Sequence, residues 1–359
     1  MESKGKIIVI SNINFEYRDV LLERLYFRLG RENGVKLLII VDDEINISES
    51  SYKILEKIRI PFLVVKDIKK TPFSYMLKDP IPNLNQFPFP YLTIDRDCNN
   101  NVVESNLAMD PQLNLMDNHM HTQLAYCNFN MEVETAIKLG KLFGLKAINF
   151  TEHSSQLYFN VKNYNSRDCY INNVYKTDLA DHRIKQYLDF KKKYSNDFVQ
   201  FGLELDFDFN GTPMIMENDL KKFDYILGAM HQLPEINVEQ FLLQMERVLK
   251  YGVDVIAHPF RIFKRNGMEL PTELFRPTAE MLKKYNTAAE INFHTNNPPV
   301  EFIKICLELG VLFSFGSDSH NLGEIGDFSP HIKLLRDAGF HGDINDVLWV
   351  MDKVPAISK

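Results

Sequence analysis

The chain has few of the features that mark secreted, membrane-bound or nucleic-acid-binding proteins. Its 359 residues contain four cysteines, scattered without a CxxC pair, which is typical of reduced thiols rather than of a disulfide framework. The start MESKGKIIVISN lacks a signal-peptide apolar region, and no apolar run approaches the roughly 18 residues of a membrane span. The formal net charge is −7, which disfavours a large nucleic-acid surface. We therefore expect a cytoplasmic protein with no membrane segment and no nucleic-acid partner; the sequence leaves its oligomeric state open.

The N-terminal part also lacks the common nucleotide-binding signatures. It alternates predicted strands (KIIVIS, VKLLIIVDD, PFLVVKD) with helical segments, but neither GxGxxG nor GxxxxGK[ST] occurs. The acidic residues Asp42–Glu44 at the end of the second strand could bind a metal ion, but we favour a solvated loop. Residues 1–68 are predicted to form a small α/β domain of unknown role. Residues 69–113 are rich in proline and polar residues, which predicts an irregular connector with one short strand at YLTID.

Residues 114–359 alternate apolar strands with amphipathic helices. The apolar runs are rich in Ile, Val, Phe and Leu, as in strands that are covered on both faces. Gly144, Gly252 and Gly310 each follow an amphipathic segment and precede a strand, as helix-ending glycines do. Seven strand–helix repeats can be counted. They predict an α/β fold in which parallel strands form a barrel, one repeat short of the commonest eight-stranded form.

Almost every predicted strand of this region ends in a residue type that binds metal ions. Seven of the chain's ten histidines lie at these ends, together with four carboxylates: His119, His121, Glu152, His153, Glu204, His231, His258, Glu290, His294, Asp318 and His320. Parallel strands gathered into a barrel bring their carboxyl ends to one mouth, so these side chains are expected to converge. Several imidazoles beside carboxylates favour divalent cations. The sequence therefore predicts a metal site.

The ordered motifs in this region resemble those of the PHP (polymerase and histidinol phosphatase) family. They are HMH at 119–121, TEH at 151–153, GLELD around Glu204, GAMH at 228–231, AHP at 257–259 and GSDSH at 316–320, and the resemblance covers roughly residues 114–350. It implies a distorted (β/α)7 barrel that uses two or three divalent ions (Zn, Mn or Fe) and a metal-activated water. The implied activity is hydrolysis of a small phosphomonoester, histidinol-phosphate-like or nucleotide-like.

The resemblance also implies a ligand for each ion. A first ion would be held by His119, His121, Glu204 and Asp318; a second by Glu204, as a bridge, with His231 and His258; and a third by His153 and His320. Where the family commonly has a further histidine, eight residues after the first of the HxH pair, this chain has Cys127. A thiolate binds zinc or iron better than magnesium, and the roles of metal ligand and of bystander both stay open for Cys127.

Further residues are predicted to act on the substrate. Arg261 follows the AHP motif, and its planar guanidinium suits two phosphate oxygens at once. His294 ends a strand; His294 and Glu290 are candidates either for supporting the metal ligands or for lining the substrate pocket, and a purely structural role for His294 stays equally open. Arg167 lies in a long segment after the second barrel strand that could form a substrate wall. His320 or His153, where not bound to metal, is a candidate general acid for the leaving alkoxide.

Two other functions fit parts of the pattern. A metal-dependent amidohydrolase would also use a barrel with metal ligands at its strand ends, but no strand end here offers the lysine that such enzymes often carboxylate. A metal-stabilised scaffold that serves the N-terminal domain is a non-catalytic alternative, which the complete set of ligand residue types disfavours.

Overall fold

A computed structural model describes most of the C-terminal part of the chain and selected segments of the N-terminal part. The described residues are 6–11, 19–20, 23–24, 35–41, 49–58, 62–65, 91–96, 102–106, 115–174, 183–294, 296 and 298–351. The acidic residues Asp42–Glu44 lie outside them. The chain divides into two compact units, one formed by residues 1–112, 141–144 and 322–324, the other by 113–140, 145–321 and 325–359.

The first unit contains a five-stranded mixed sheet with strand order β3-β2-β1-β4-β5. Its strands are β1 (Lys6–Ser11), β2 (Val35–Val41), β3 (Phe62–Val65), β4 (Tyr91–Arg96) and β5 (Val102–Asn106), and its described helix is α1 (Glu49–Ile58). Strands β1, β2 and β3 pair in parallel, whereas β4 is antiparallel to both β1 and β5. The predicted strands and the helix through SSYKILEKIR are present.

The sheet corrects the prediction for residues 69–113. The short strand expected at YLTID is β4, but β5 was not predicted, and both belong to the sheet rather than to an irregular connector. The prolines of this stretch precede β4 or follow β5, so they leave both strands intact. The signal for β5 was weak because Val102–Asn106 follows a run of asparagines and is half polar. Pairing with β4 supplies the stabilisation that its composition does not predict.

The second unit is a nearly closed barrel of seven parallel strands with order β12-β11-β10-β9-β8-β7-β6. The strands are β6 (Met116–Met120), β7 (Ala147–His153), β8 (Val199–Asp206), β9 (Ile226–Ala229), β10 (Val255–Ile256), β11 (Ala288–Asn292) and β12 (Phe313–Gly316). Residues beyond β12 approach β6: Met120 and Ser319 form a parallel bridge, and the Asp318 amide donates to the His119 carbonyl at 2.7 Å. The predicted seven-stranded barrel is confirmed.

Helices connect the barrel strands. They are α2 (Val133–Leu142), α3 (Ser154–Tyr158), α4 (Arg167–Asn172), α5 (Arg183–Tyr194), α6 (Glu217–Leu220), α7 (Val238–Tyr251), α8 (Arg261–Arg265), α9 (Phe275–Tyr285), α10 (Val300–Leu309) and α11 (Ser329–Asp337). Three short 3₁₀ turns also occur at Thr272–Leu274, Leu322–Glu324 and Ile344–Asp346. Among the described helices, none is both long and apolar enough to span a bilayer.

Two of the longer helices end at the glycines that the sequence predicted as helix ends. Gly252 and Gly310 are left-handed C-caps of α7 and α10, with φ of 92° and 68°, a conformation that costs glycine little. All seven residues of β7 are buried, as expected for a strand covered on both faces. Near the C-terminus, Trp349 is buried and stacks on Tyr225 with ring centroids 5.2 Å apart.

Candidate metal centre

Glu204, on β8, is the centre of a buried cluster at the carboxyl ends of the barrel strands. Its side chain is fully buried, and five imidazoles surround its two oxygens. Oε1 lies 2.8 Å from His258 Nε2 and 3.2 Å from His231 Nε2, whereas Oε2 contacts His153 Nδ1 and lies 3.5 Å from His119 Nε2 and 3.7 Å from His121 Nε2. The residues predicted from separate strand ends thus meet at one point.

Asp318, just after β12, is the second carboxylate of the cluster. Its Oδ1 lies 3.0 Å from His121 Nε2 and 3.6 Å from His119 Nε2. Its backbone φ is +53°, and that of His258 is +28°. Residues other than glycine adopt such angles at a cost of about 1–3 kcal/mol, and the positions that do so cluster at functional sites. The surrounding barrel therefore holds two of the predicted ligands in strained conformations that aim their side chains inward.

Three further carboxylates bind the outer nitrogens of three of these histidines. The paired atoms are His119 Nδ1 and Glu290 Oε1 at 2.6 Å, His121 Nδ1 and Glu152 Oε1 at 3.1 Å, and His231 Nδ1 and Asp206 Oδ1 at 2.6 Å. An ionised carboxylate only accepts, so each pair places the imidazole proton on Nδ1. Nε2 of each ring therefore faces the cluster, where it can bind a metal ion once it carries no proton; metal-binding histidines are commonly held by Nδ1 in this way.

The sequence analysis assigned no role to Asp206 and did not predict that Glu152 contacts His121, although a signal existed for Asp206. Residues two apart on a strand face the same side, so the spacing places Asp206 on the same face as Glu204. Glu152 is a neighbour of His153 on β7, yet its Oε2 accepts from both the amide and the hydroxyl of Thr122, at 3.0 and 2.6 Å. That contact joins segments far apart in sequence, which no local pattern reveals.

The tight packing at Glu290 explains one glycine of the GSDSH motif. A Cβ at Gly316 would overlap the Glu290 carboxylate and would lie 2.6 Å from the Cβ of His119. Glycine therefore leaves room for the pair formed by His119 and Glu290.

The cluster raises the pKa of some of its imidazoles and lowers that of others. Burial lowers the pKa of each, but carboxylates outweigh burial at three of them: they raise the pKa of His119 well above its usual value, that of His121 to about 9, and also that of His231. At His153, His258 and His320, burial prevails and the pKa is lowered. Imidazolium cations this close would repel one another, so these rings cannot all be positively charged at once. Divalent cations can balance the carboxylates while the imidazoles stay neutral.

The donor set fits such ions. Three groups place one ligand atom per residue within 4.8 Å of one another: His119, His121 and Glu204; His153, Glu204 and His231; and His121, His153 and His320. His119 Nε2 is buried and has no hydrogen-bond partner among the described residues, as expected of a nitrogen kept for a metal. Glu204 belongs to two of the groups, which is the arrangement that a bridging carboxylate requires.

Cys127 lies beside the third group. Its Sγ is 3.6 Å from His153 Nε2 and accepts a contact from Gln156 Nε2 at 3.4 Å. The residue as a whole is exposed, yet desolvation of the thiol and the nearby carboxylates raise its pKa to about 12. Such a thiol stays protonated unless a cation binds it.

The predicted substrate residues lie in different surroundings. Arg261 is buried; its Nη1 donates to Asp318 Oδ2, and its Nη2 lies 3.3 Å from His231 Nε2. The His294 ring stacks on that of His320, with centroids 4.6 Å apart. Arg167 donates to the Pro234 carbonyl at 3.1 Å and covers the ring of Phe209, so its guanidinium is occupied by neighbouring protein groups.

Comparison with known proteins finds relatives described as probable phosphatases, although no family model matches the chain. A probable phosphatase of Caldanaerobacter subterraneus subsp. tengcongensis is 31% identical over 144 residues, 36% of this chain and 53% of the relative. A probable phosphatase of Caldicellulosiruptor saccharolyticus is 22% identical over 235 residues, which cover 63% of this chain and 88% of the relative. A probable histidinol-phosphatase of Deinococcus radiodurans is 28% identical over 171 residues, which cover 39% of this chain and 65% of the relative. The chain thus spans about half the length of the first of these relatives.

A solved structure is also similar. It is that of a candidate histidinol phosphatase from Listeria monocytogenes, 17% identical, with a TM-score of 0.45 over 60% of this chain and 99% of that chain. The strand pairing described above defines the barrel independently of this similarity.

Proposed function

We propose that this protein is a metal-dependent phosphatase that hydrolyses a small phosphomonoester. The observation that carries the proposal is the convergence of five imidazoles on the buried carboxylate of Glu204. Such a cluster at the carboxyl ends of barrel strands lies where barrel enzymes place their active sites. The names of the relatives, probable phosphatase and probable histidinol-phosphatase, support the same reaction. The proposed substrate class is histidinol-phosphate-like or nucleotide-like.

Three groups of side chains would hold the ions, which we take to be zinc, manganese or iron. His119, His121, Glu204 and Asp318 would bind the first, and His231 and His258 would share Glu204 to bind the second. His153 and His320, with Cys127 beside them, would bind a third. Divalent ions at such a site acidify a coordinated water and neutralise charge on the phosphoryl group.

The chain's own residues would perform the remaining tasks. Glu290, Glu152 and Asp206 hold three imidazoles by Nδ1, so that each Nε2 is oriented before any ion binds. The lowered pKa of His153 and of His320, caused first by burial, keeps both rings neutral. Neutral imidazole is the form that binds metal, so we favour this role for both over protonation of the leaving alkoxide.

Arg261 and His294 would border the substrate. Arg261 lies between Asp318 and His231, where its positive charge would attract the negative phosphoryl group held at the ions. His294, half-buried and stacked on His320, would contact the organic part of the substrate.

Elemental analysis and a substrate panel test this proposal. Protein purified without chelator should contain at least two equivalents of metal if the Glu204 cluster is a bridged site. It should hydrolyse some member of a phosphomonoester panel when manganese, zinc or iron is supplied, and lose that activity with a chelator. Metal-loaded protein that hydrolyses no phosphomonoester, with any of the three metals, would overturn the proposal and favour the scaffold alternative.

A further inference from the structure

The short helix α8 carries two arginines, one helical turn apart. Arg261 begins the helix and Arg265 ends it, so the two side chains are four residues apart and lie on the same face. Arg261 is buried and contacts the predicted ligands Asp318 and His231. Arg265 is exposed. On this face of α8, Arg261 therefore points into the candidate metal cluster, and Arg265 lies one turn further from its centre.

Arg265 differs from Arg261 in having no partner. It makes no hydrogen bond or ion pair with any residue in the described part of the chain, whereas Arg261 is engaged with Asp318. Like charges four residues apart on a helix repel each other, and no described carboxylate pairs with Arg265 to offset this repulsion. An unpaired cation beside another one is a ready site for an anionic ligand.

Helix geometry places Arg265 at the edge of the cluster. It lies one helical turn from Arg261, whose side chain contacts Asp318 and His231. In agreement with this position, partial desolvation and then the charge of Arg261 lower the pKa of Arg265, and the carboxylates of Asp318 and Glu204 act in the opposite direction. Arg265 also opposes the rise that burial causes in the pKa of Tyr164, whose ring lies 5.2 Å from that of Tyr126.

We propose that Arg265 binds the phosphoryl group of the substrate from the outer side of the cluster, opposite the ions. This inference rests on the proposed phosphatase function and names the residue that determines affinity for the phosphate. A guanidinium offers two parallel N–H donors to phosphoryl oxygens. Arg261 is held in place by its Nη1 contact with Asp318, whereas no described residue pairs with the guanidinium of Arg265, which is therefore able to turn its donors towards a ligand. The substrate class is therefore a monoester whose phosphoryl dianion is accessible at the rim, with its organic part beside Tyr164 and Tyr126.

Inorganic phosphate is the probe for the first test. Titration calorimetry on the metal-loaded full chain should show that Arg265→Ala weakens phosphate binding by about tenfold or more, because one charge-assisted contact is lost. Arg265→Lys should recover part of the affinity, since it keeps the charge but not the paired donors. Lys264→Ala is the matched control: it removes the same charge from the neighbouring position of α8 and should leave phosphate affinity within about twofold of the parent.

Kinetics give a second measurement. With the best monoester of the panel, Arg265→Ala should raise KM and the inhibition constant of phosphate together, with the metal content unchanged. A structural role would lower the metal content or the melting temperature instead. Unchanged phosphate affinity in Arg265→Ala, or an equal loss in Lys264→Ala, would overturn the proposal. So would a loss confined to monoesters that carry a second anionic group, which would assign Arg265 to the leaving group.

The two proposals fail in different ways. Hydrolysis by the parent protein with no effect of Arg265→Ala on phosphate binding would refute only the role of Arg265. Phosphate binding that depends on Arg265, in a protein that hydrolyses no phosphomonoester, would refute the phosphatase function and leave the anion site in place.

Discussion

Replacement of Glu204 by glutamine is the sharpest test of the metal centre. Glutamine keeps the shape of the side chain but removes the charge that faces five imidazoles. Glu204 belongs to two of the three groups of ligand atoms, so its loss should weaken two ions at once. We expect lost metal stoichiometry and turnover reduced by at least about 10³-fold, or about 4 kcal/mol of activation free energy.

The same substitution should abolish metal-dependent stabilisation. A ligand at a hundred times its dissociation constant stabilises a native protein by about 2.7 kcal/mol. For a unit of the size of the barrel, each kcal/mol corresponds to about 2–4 °C in melting temperature. Added metal should therefore raise the melting temperature of the parent by about 5–10 °C. Glu204→Gln should show an increment close to zero in the same thermal scans.

Asp208→Asn is a suitable control for this experiment. Asp208 is also buried and lies just beyond β8, but the groups that donate to it among the described residues are amides: the backbones of Asn210 and Thr212 at 2.8 Å, and the side chain of Asn173 at 2.9 Å. This variant loses a buried charge outside the ring of imidazoles and should keep the metal-dependent increment. Near-normal turnover and full metal loading in Glu204→Gln would refute the bridging role.

Four further predictions follow from the same contacts. Cys127→Ser should release one equivalent of metal and Cys127→His should retain it, by elemental analysis; unchanged metal in the serine variant would assign the thiol to packing. Asp206→Asn should weaken metal affinity by about 10- to 100-fold in chelator competition, because His231 loses the carboxylate that orients it; equal affinity would contradict that role. Arg261→Ala should cost about 2–4 kcal/mol of transition-state stabilisation, measured as kcat/KM, and a kinetically silent variant would remove Arg261 from the site. Trp349→Ala should destabilise the barrel by about 3–5 kcal/mol in denaturant unfolding, since it empties the space against Tyr225; a loss below about 1 kcal/mol would contradict a core role.

The architecture of the barrel was predictable because its signals are local. Most strands contain an apolar run, each longer helix is amphipathic, and Gly252 and Gly310 end their helices at the expected places. Local signals did not predict the strand Val102–Asn106. This strand is half polar and depends on pairing with Tyr91–Arg96, a contact between segments that composition alone does not reveal.

The identities of the central histidines and carboxylates were determined by the sequence alone, and their relations only by the tertiary structure. Parallel strands in one barrel must end at one mouth, so ligand types in phase with the strand ends had to converge around Glu204. Which nitrogen of each imidazole faces the centre depends on carboxylates from other strands, such as Glu290 behind His119, because a hydrogen bond forms only between groups that folding brings together. For the same reason only the fold distinguishes Arg261, paired with Asp318, from Arg265, which pairs with no residue in the described part of the chain.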